Sequence, residues 1–344
     1  MTAFPSFMPT PRTPDPMQAP SLRWGVLGPG WIAERFVTAV QRSTTQQVVA
    51  VGSRTLQRSA EFADRFGIAT AHGSYQALVS DPAVDVIYVA TPHNAHFPCA
   101  ALAIEAGKNV LVEKPIGLNA GEAGRLAELA SQRGVFCMEA LWTQFLPKFD
   151  VIRQLLADGV LGEVHTVQAD HGEHFDPGHR ILRAELAGGP MLDLGTYPVA
   201  FATWVLGAPS RVLAAGQDHP AGVNGQVSMI LTDGAGNEAV LHTTVFSNTP
   251  TTGVIAGSAA TLTIDGPFYQ PGPMTLAGAH GGRLAWDEPQ ISHQALHFEA
   301  AEVARCIDAG RLESPLRPLA DSVTTLAAMD EVRRQIGQVF AEER

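Results

Sequence analysis

The sequence predicts an α/β protein: an N-terminal doubly wound parallel sheet, followed by a C-terminal α+β domain with a large, mostly antiparallel open sheet. Residues 23–139 alternate short β-branched apolar runs with helical patterns, which is typical of a parallel sheet covered by helices. After about residue 145 the pattern changes to period-2 segments such as EVHTVQAD and QVSMILT, which indicate half-buried strands. DGAGN at 233–237 predicts a hairpin turn.

The same change of pattern gives the predicted domains. Residues 1–21 are rich in proline and lack a continuous apolar segment, so we expect a disordered tail rather than a signal peptide or a spanning helix. Residues 22–143 are predicted to form a dinucleotide-binding Rossmann domain. Residues 144–344 are predicted to form an α+β domain for substrate binding and oligomerisation.

The individual elements have local support. Five strands are expected in the first domain, at RWGVLG, QVVAVGS, VDVIYVATP, NVLVEKP and VFCMEA. Asn119 and Glu122 form a capping-box pattern, and Gly107 and Gly134 stand where helices should end. In the second domain, helices are expected at PKFDVIRQLLADG, HFEAAEVARCIDAG and DSVTTLAAMDEVRRQIG.

Charge and cysteine content exclude some classes of protein. The formal net charge is -11, which argues against nucleic acid or an anionic membrane as the main partner, because both require clustered cations. Only three cysteines occur, widely spaced and without a pairing pattern. This indicates free thiols in a reducing compartment, and we expect a cytoplasmic protein.

A glycine-rich turn follows the first strand. In GPGWIA, Gly28 would make the tight turn, Gly30 would let the backbone approach a pyrophosphate, and Ala33 would allow close packing of helix and strand. Trp31 and Ile32 lie between them and are predicted to line the same cofactor site. The alternative is a glycine turn that binds nothing.

The second strand ends in Val51-Gly52-Ser53-Arg54. A carboxylate here usually binds the ribose 2′-hydroxyl of NAD, whereas an arginine accommodates the 2′-phosphate of NADP. Because no carboxylate is present, Ser53, Arg54 and Arg58 predict NADP, with NAD as the second choice. The alternative is that both arginines are solvated surface residues.

Two further segments end strands at the same predicted edge of the sheet. TPHNAH contributes Thr91, Pro92 and His96, and VEKPIG contributes Glu113 and Lys114. Pro115 cannot continue a central strand, so we expect a turn there, for which a cis peptide bond is one available form. Lys114 would then project into the ligand crevice. A structural Glu-Lys salt bridge is the alternative.

In the second domain, GGPMLDLGTYP at 188–198 leads into an apolar helix. Asp193 and Tyr197 lie four residues apart, so at the start of a helix they would face the same side. Taken alone, Asp193 fits an N-cap and Tyr197 an ordinary amphipathic residue.

Together these segments resemble the glucose-fructose oxidoreductase / inositol dehydrogenase / MocA family. The similarity also includes MEALWTQFLP at 138–147 and covers nearly the whole chain beyond the tail. Tyr197, FDP at 175–177 and the closing DEVRRQIG are most similar to the branch that contains dimeric dihydrodiol dehydrogenase and NADP-dependent xylose dehydrogenase.

The resemblance implies roles for individual residues. Lys114 would hydrogen-bond the reacting oxygen, Tyr197 would be the general acid/base, and Asp193 would position the substrate or Lys114. His96 would lie near the nicotinamide ribose and Trp142 would wall the pocket. The Lys114 ammonium would stabilise a Tyr197 phenolate, whereas Lys114 itself is the alternative base. The resemblance also implies a homodimer or homotetramer joined through the open face of the C-terminal sheet.

The chain departs from the family pattern at two places. Gln144 stands where close relatives often carry arginine, which puts a substrate contact in doubt. The segment 170–180 is rich in histidine, with His171, His174 and His179. We expect His174 or Arg180 to contact substrate hydroxyls and expect no metal, because hydride transfer in this family needs none.

The sequence therefore predicts an NADP(H)-dependent oxidoreductase that acts on a sugar, polyol or vicinal diol. A reductase of a keto-sugar linked to a nucleotide or aglycone is an alternative within the enzyme class. A cofactor-sensing regulator without turnover is the alternative from another class.

Overall fold

The computed structural model describes residues 4–343. Contacts between Cα atoms divide it into two units. One unit contains residues 14–145 and 292–323, and the other contains residues 4–13, 146–291 and 324–343. The sequence-based boundary at 143/144 stays a prediction. Residues 292–323 group with the N-terminal unit because helix α9 (His297–Asp308) packs against helix α1 (Trp31–Ser43).

A six-stranded sheet, parallel throughout, forms the centre of the N-terminal unit. Its order is β3-β2-β1-β4-β5-β6, the arrangement of a dinucleotide-binding sheet. The strands are β1 (Arg23–Leu27), β2 (Gln47–Gly52), β3 (Thr70–His72), β4 (Val86–Val89), β5 (Asn109–Glu113) and β6 (Cys137–Ala140). The predicted parallel sheet is confirmed. The short strand β3 was not predicted, because its three residues are only partly buried and form no apolar run.

Helices connect these strands and cover the sheet. Besides α1 and α9, they are α2 (Leu56–Phe66), α3 (Tyr75–Val79), α4 (His96–Glu105) and α5 (Ala120–Arg133). At the start of α5 the Asn119 side chain accepts a hydrogen bond from the Glu122 amide at 2.9 Å. Gly134 ends the same helix with φ +64°, a conformation that glycine adopts without strain.

The second unit contains an eight-stranded sheet of order β14-β13-β12-β11-β7-β10-β9-β8. Its strands are β7 (Val164–Gly172), β8 (Arg211–Asp218), β9 (Asn224–Thr232), β10 (Glu238–Thr244), β11 (Gly253–Gly257), β12 (Ala260–Ile264), β13 (Met274–Gly278) and β14 (Arg283–Trp286). Only the β7–β10 pair is parallel. The expected mostly antiparallel sheet and the hairpin at 233–237 are confirmed.

Helices cover one face of this sheet. They are α6 (Pro147–Ala157), α7 (Pro190–Asp193) and α8 (Thr196–Leu206), with α10 (Leu319–Gln335) contributing its C-terminal part. Alternate residues of β9, such as Val227 and Met229, are buried, as period-2 patterning requires. On the opposite face the side chains of Leu213 and Val240 remain 50% and 46% exposed.

The proline-rich segment contacts helix α6, and the predicted disorder of residues 1–21 stays a prediction. The Arg12 amide donates to the Asp150 carboxylate at 2.6 Å, and the Thr10 carbonyl accepts from Gln154 at 2.9 Å. Thr10 and Arg12 thus have specific partners, because the extended backbone leaves their carbonyl and amide groups available to side chains. Residues 1–3 of the predicted tail lie outside the described residues.

Within the described chain, two X–Pro peptide bonds are cis, Lys114-Pro115 and Gly266-Pro267. Across residues 4–343, no helix combines the length and the apolar character that a membrane crossing requires.

Candidate active site

The predicted cofactor-binding residues of the N-terminal unit lie at one edge of its parallel sheet. The segments that carry them follow β1, β2, β4, β5 and β6 directly. Since parallel strands end at a common edge, the loops there form the ligand crevice of such folds. The structure therefore brings these segments together in the way that the sequence predicts.

The glycine-rich turn is tight. Gly28 has φ +98°, and a Cβ there would stand 3.0 Å from the Ala90 carbonyl oxygen. Gly30 precedes α1, and Ala33 is fully buried against the sheet. Ile32 is partly buried. The amide groups at the N-terminus of α1 are thus presented at an open backbone surface suited to a phosphate.

The end of β2 carries two exposed arginines. Ser53 is buried, and its amide donates to the His72 carbonyl, whereas Arg54 and Arg58 extend from the surface. Both guanidinium groups lie close enough to Tyr75 to lower its pKa, although burial raises that pKa more strongly. In the described part of the chain, neither arginine forms an ion pair with a carboxylate.

His96 links two of the predicted segments. Its ring is buried, and its nitrogens lie 2.8 Å from the Thr91 carbonyl oxygen and 2.7 Å from the Pro115 carbonyl oxygen. Both partners are backbone carbonyl oxygens of separate loops. Pro92 lies exposed beside this link. His96 therefore fixes the loop after β4 against the turn that carries Lys114.

Glu113 ends β5, and Lys114 begins the turn that follows it. The Tyr88 hydroxyl donates to the buried Glu113 carboxylate, which also accepts from the Lys114 amide at 3.2 Å. Glu299 on α9 is fully buried, and burial, followed by the charge of Glu113, raises its pKa well above the ordinary value. Lys114 is half-buried at the start of the turn.

Three aromatic rings, those of Trp31, Trp142 and His293, pack together next to the glycine-rich turn. Trp142 is buried in a 3₁₀ turn and stacks on His293, with ring centroids 5.4 Å apart. Trp31, 55% exposed, packs edge-on against the same imidazole at 5.0 Å. His293 was missed in the sequence, because it lies more than 150 residues from both tryptophans and in no motif.

In the second unit, the sequence predicts that one helix begins near Asp193 and continues through Tyr197. The structure has two helices there, α7 and α8. Asp193 ends α7 and Tyr197 lies in the first turn of α8, because the Pro190 carbonyl accepts from the amides of both Leu194 and Gly195 and closes α7. Asp193 is buried and forms an ion pair with Arg180 at 2.9 Å. Two of the predicted substrate-binding residues are thus in direct contact.

Tyr197 belongs to a buried cluster of three rings. It stacks on Tyr269 at a centroid distance of 4.1 Å, and the His171 ring lies 4.7 Å from that of Tyr269. Tyr269 was missed, since nothing in the loop sequence around it distinguishes it from a core aromatic.

The remaining histidines do not join this cluster. His174 is exposed and is held by its backbone amide, which donates to Asn248 at 2.9 Å. Burial, and then the neighbouring Arg180, lower the pKa of His179. Among residues 4–343 there is no group of three or more His, Cys, Asp or Glu side chains placed to hold a metal ion.

The residues at the sheet edge fit a dinucleotide. A Cβ at Gly30 would have only the Ala90 carbonyl oxygen within 4 Å, at 3.9 Å, so the backbone before α1 is open to a phosphate group. Gly28, Gly30 and the first turn of α1 would hold the pyrophosphate.

Comparison with known proteins agrees with this geometry. Residues 22–141 match the model of the GFO/IDH/MocA oxidoreductase family with its NAD-binding Rossmann fold, and residues 149–263 match the GFO/IDH/MocA C-terminal domain. Trans-1,2-dihydrobenzene-1,2-diol dehydrogenase of Mus musculus is 36% identical over 94% of this chain and 99% of its own length. The Homo sapiens enzyme of the same name is 33% identical over 94% and 99%.

Solved structures are also similar. A 3-ketoreductase from Actinomadura kijaniata, in complex with NADP and TDP-benzene, is 27% identical with a TM-score of 0.81, over 92% of this chain and 98% of that chain. A levoglucosan dehydrogenase in complex with NADH and levoglucosan shares the fold, with a TM-score of 0.82 at 18% identity, over the same 92% and 98%. The chain therefore belongs to the GFO/IDH/MocA oxidoreductase family, as an NAD(P)-dependent dehydrogenase or reductase.

Proposed function

We propose that this protein is an NADP(H)-dependent oxidoreductase that transfers a hydride between a CH–OH carbon of a sugar, polyol or vicinal diol and the nicotinamide. The observation that carries the proposal is the identity of 36% with a dihydrobenzenediol dehydrogenase over 94% of the chain, which includes the Lys114, Asp193 and Tyr197 segments. Arg54 and Arg58, which lack carboxylate partners in the described chain, favour NADP over NAD.

Each reacting residue has one task in this proposal. Tyr197 accepts the hydroxyl proton during oxidation and returns it during reduction, while Lys114 polarises the carbon–oxygen bond. Bound NADP(H) would accept or supply the hydride at C4 of its nicotinamide ring. Asp193, held by Arg180 at 2.9 Å, orients the substrate, and Trp142 with His174 and Arg180 contributes to its binding.

The structure offers a face for the predicted oligomer. The uncovered side of the second sheet carries a groove of about 750 Å³ whose walls include Leu213, Ile230, Val240 and Val254. Leu213 and Val240 are the most exposed of these, and exposed apolar surface of this kind is typical of protein interfaces. The groove supports a homodimer or homotetramer joined through this sheet.

A reductase of a nucleotide-linked keto-sugar is the second candidate. It is supported by the similarity, at 27% identity, to a ketoreductase whose structure contains TDP-benzene.

We also propose that the protein acts in the cytoplasm. The buried cysteines Cys99, Cys137 and Cys306 are free thiols, which agrees with a reducing compartment.

The experiment that tests the function starts with fluorescence titration of the purified protein with NADPH and NADH. Hydride-transfer assays with xylose, glucose, inositol, a vicinal diol and a nucleotide-linked keto-sugar follow. Tighter binding of NADPH with turnover of a sugar, polyol or diol is the expected result. Turnover of the keto-sugar alone would favour the second candidate, and binding without turnover would indicate a cofactor sensor. Binding of neither nucleotide would refute the proposal.

A further inference from the structure

Lys148 is a fully buried lysine in the first turn of α6. Lysine is almost never fully buried unless its amine has a partner. The partner here is a backbone oxygen, because the Lys148 amine donates to the carbonyl of Gln270, which lies 122 residues further along the chain. The fold therefore directs this amine to the loop between β12 and β13.

Two carboxylates of the same unit act on the amine. Burial lowers the pKa of Lys148 to about 8, whereas Glu288 and Asp265 attract its charged form and oppose that effect. Glu288 also accepts from the Gly272 amide at 3.3 Å, so it contacts the same loop. The charged and the neutral amine both carry N–H groups. The hydrogen bond to Gln270 therefore needs no particular charge on Lys148.

The contact with Lys148 fixes the part of the loop that carries Tyr269. On one side of this tyrosine, the Phe268 amide donates to the Thr251 carbonyl at 2.8 Å. On the other side, the Gln270 carbonyl accepts from Lys148. Tyr269 is thus held between two residues whose backbone groups are bound to other segments of the unit.

Tyr269 lies against the proposed acid/base. Its ring stacks on that of Tyr197 with a centroid distance of 4.1 Å and an interplanar angle of 18°. Tyr197 belongs to α8, and α6 packs against α8 through Phe149, whose ring lies 6.3 Å from Phe201 and 5.5 Å from Trp204. Helix α6 therefore contacts both the helix of Tyr197 and the loop of Tyr269.

We infer that Lys148 is a positioning residue, which holds the loop at 265–273 so that Tyr269 stacks on Tyr197 and fixes the plane of its ring. The inference rests on the proposed role of Tyr197 as acid/base. A proton carrier must lie within hydrogen-bond reach of the reacting oxygen, and a displacement of about 1 Å can cost roughly 10²-fold in rate. Sequence reasoning gave Lys148 no role, because its acceptor lies in a distant loop.

Hydrogen exchange tests the structural step without any substrate. Lys148→Met removes the donor and keeps a side chain of similar length. The amides of residues 268–272, followed by mass spectrometry, are expected to exchange about 2–10-fold faster than in wild type, the range that loss of one hydrogen bond produces. Unchanged exchange in this segment would overturn the inference, whatever the enzyme turns over.

Lys108→Met is the matched control. The Lys108 amine also donates to backbone carbonyls, those of Asp81 and Val84, both at 2.7 Å, but it lies in the N-terminal unit. This variant should leave the exchange of residues 268–272 unchanged and should keep kcat within about twofold of wild type. Faster exchange at 268–272 in both variants would indicate a general loss of stability and would overturn the inference.

The effect on catalysis is measured with NADP and the sugar, polyol or diol that wild type oxidises. Lys148→Met is expected to lower kcat about tenfold and to leave KM within about threefold, because the orientation of Tyr197 matters in the transition state. A raised KM with an unchanged kcat would indicate a role in substrate binding and would overturn the inference.

A double-mutant cycle tests whether Lys148 acts through Tyr269. Tyr269→Ala alone should lower kcat about tenfold, and Lys148→Met added to it should cost nothing further, because the stack is already lost. Independent losses, about a hundredfold together, would show that Lys148 acts by another route. Tyr269→Ala with kcat within about twofold of wild type would overturn the inference even if Lys148→Met does not fold.

Tyr197→Phe separates this inference from the proposed function. A Tyr197→Phe variant that retained turnover would refute the acid/base role itself, and the role of Lys148 with it. An inactive Tyr197→Phe, together with independent losses in the cycle, would refute only the role given to Lys148.

Discussion

Glu139 and Arg317 form a fully buried ion pair in the N-terminal unit. The Arg317 Nη2 and Glu139 Oε2 atoms are 2.7 Å apart, and each side chain is 1% exposed. Ser322 donates to the same oxygen at 2.7 Å, while the amide of Ile116 donates to the other carboxylate oxygen at 3.0 Å. Because Ile116 follows Pro115, the pair anchors the turn that carries Lys114.

Removal of one partner should be strongly destabilising. Glu139→Ala leaves the Arg317 guanidinium buried without its carboxylate, and we expect a loss of about 3–5 kcal/mol in the free energy of unfolding. Urea denaturation followed by tryptophan fluorescence measures it. Glu128→Ala, at an exposed position of α5, is the control and should stay within about 0.5 kcal/mol of wild type. Similar losses in both variants would contradict the interpretation.

Tyr197→Phe should remove the proton carrier without disturbing cofactor binding. Positioned acid/base catalysis is worth about 10²–10⁴ in rate, so kcat should fall by that factor. The Kd for NADPH, measured by fluorescence titration, should remain within about twofold of wild type. Activity within a factor of two of wild type would mean that another group, such as Lys114, carries the proton.

Arg54→Ala and Arg58→Ala should weaken NADPH selectively. A hydrogen bond to a charged group contributes about 1.5–3 kcal/mol, so each change should raise the Kd for NADPH by about 10–100-fold and leave that for NADH nearly constant. Arg65→Ala is the matched control, because Arg65 lies at the other end of α2 and is paired with Glu34. Equal losses for both nucleotides would show that the arginines do not bind the 2′-phosphate.

Glu299→Gln should change stability in a pH-dependent way. Burial and the charge of Glu113 raise the pKa of Glu299, so the folded protein prefers the protonated acid. Its contribution to stability is complete below the pKa of an unfolded glutamic acid and is lost as the pH rises through the folded-state pKa. Glutamine keeps the neutral form at every pH, so the advantage of the variant should grow with pH.

Thermal unfolding at pH 5.5 and pH 8.5 measures this difference. Glu299→Gln should raise Tm at pH 8.5 by about 2–4 °C, the shift that roughly 1 kcal/mol produces in a domain of 150–250 residues. The gain at pH 5.5 should be smaller. Glu61→Gln, at an exposed position of α2, should show no such trend. A gain that is the same at both pH values would argue against a protonated Glu299.

A charge on the open face of the second sheet should dissociate the proposed oligomer. Leu213→Asp combined with Val240→Asp places carboxylates in the apolar groove, where burial without a partner is costly. Light scattering after size exclusion should give the chain mass of 36.5 kDa for the variant and a multiple of it for wild type. Leu56→Asp is the control, because Leu56 is 58% exposed on α2. A wild type with the mass of one chain would refute the oligomer.

Several turns and strand ends were predictable because their signal is local. The spacing of Gly28 and Gly30 directly after a strand predicts a tight turn. Lys114 is a charged residue followed by Pro115, and this pair predicts the end of a buried strand. Period-2 burial around Val227 and Met229 predicted the second sheet in the same way.

The sequence by itself thus determined the parallel and antiparallel sheets and the family. It also determined the strand ends that carry the predicted cofactor-binding residues, because strand and helix periodicity and turn chemistry act over a few neighbouring residues. Only the tertiary structure decided that Arg317 neutralises Glu139, that His293 stacks on Trp142, and that His171 faces two acceptors beside Tyr197 and Tyr269. The reason is physical: the first two contacts join segments that lie more than 150 residues apart, and local periodicity carries no signal over that distance.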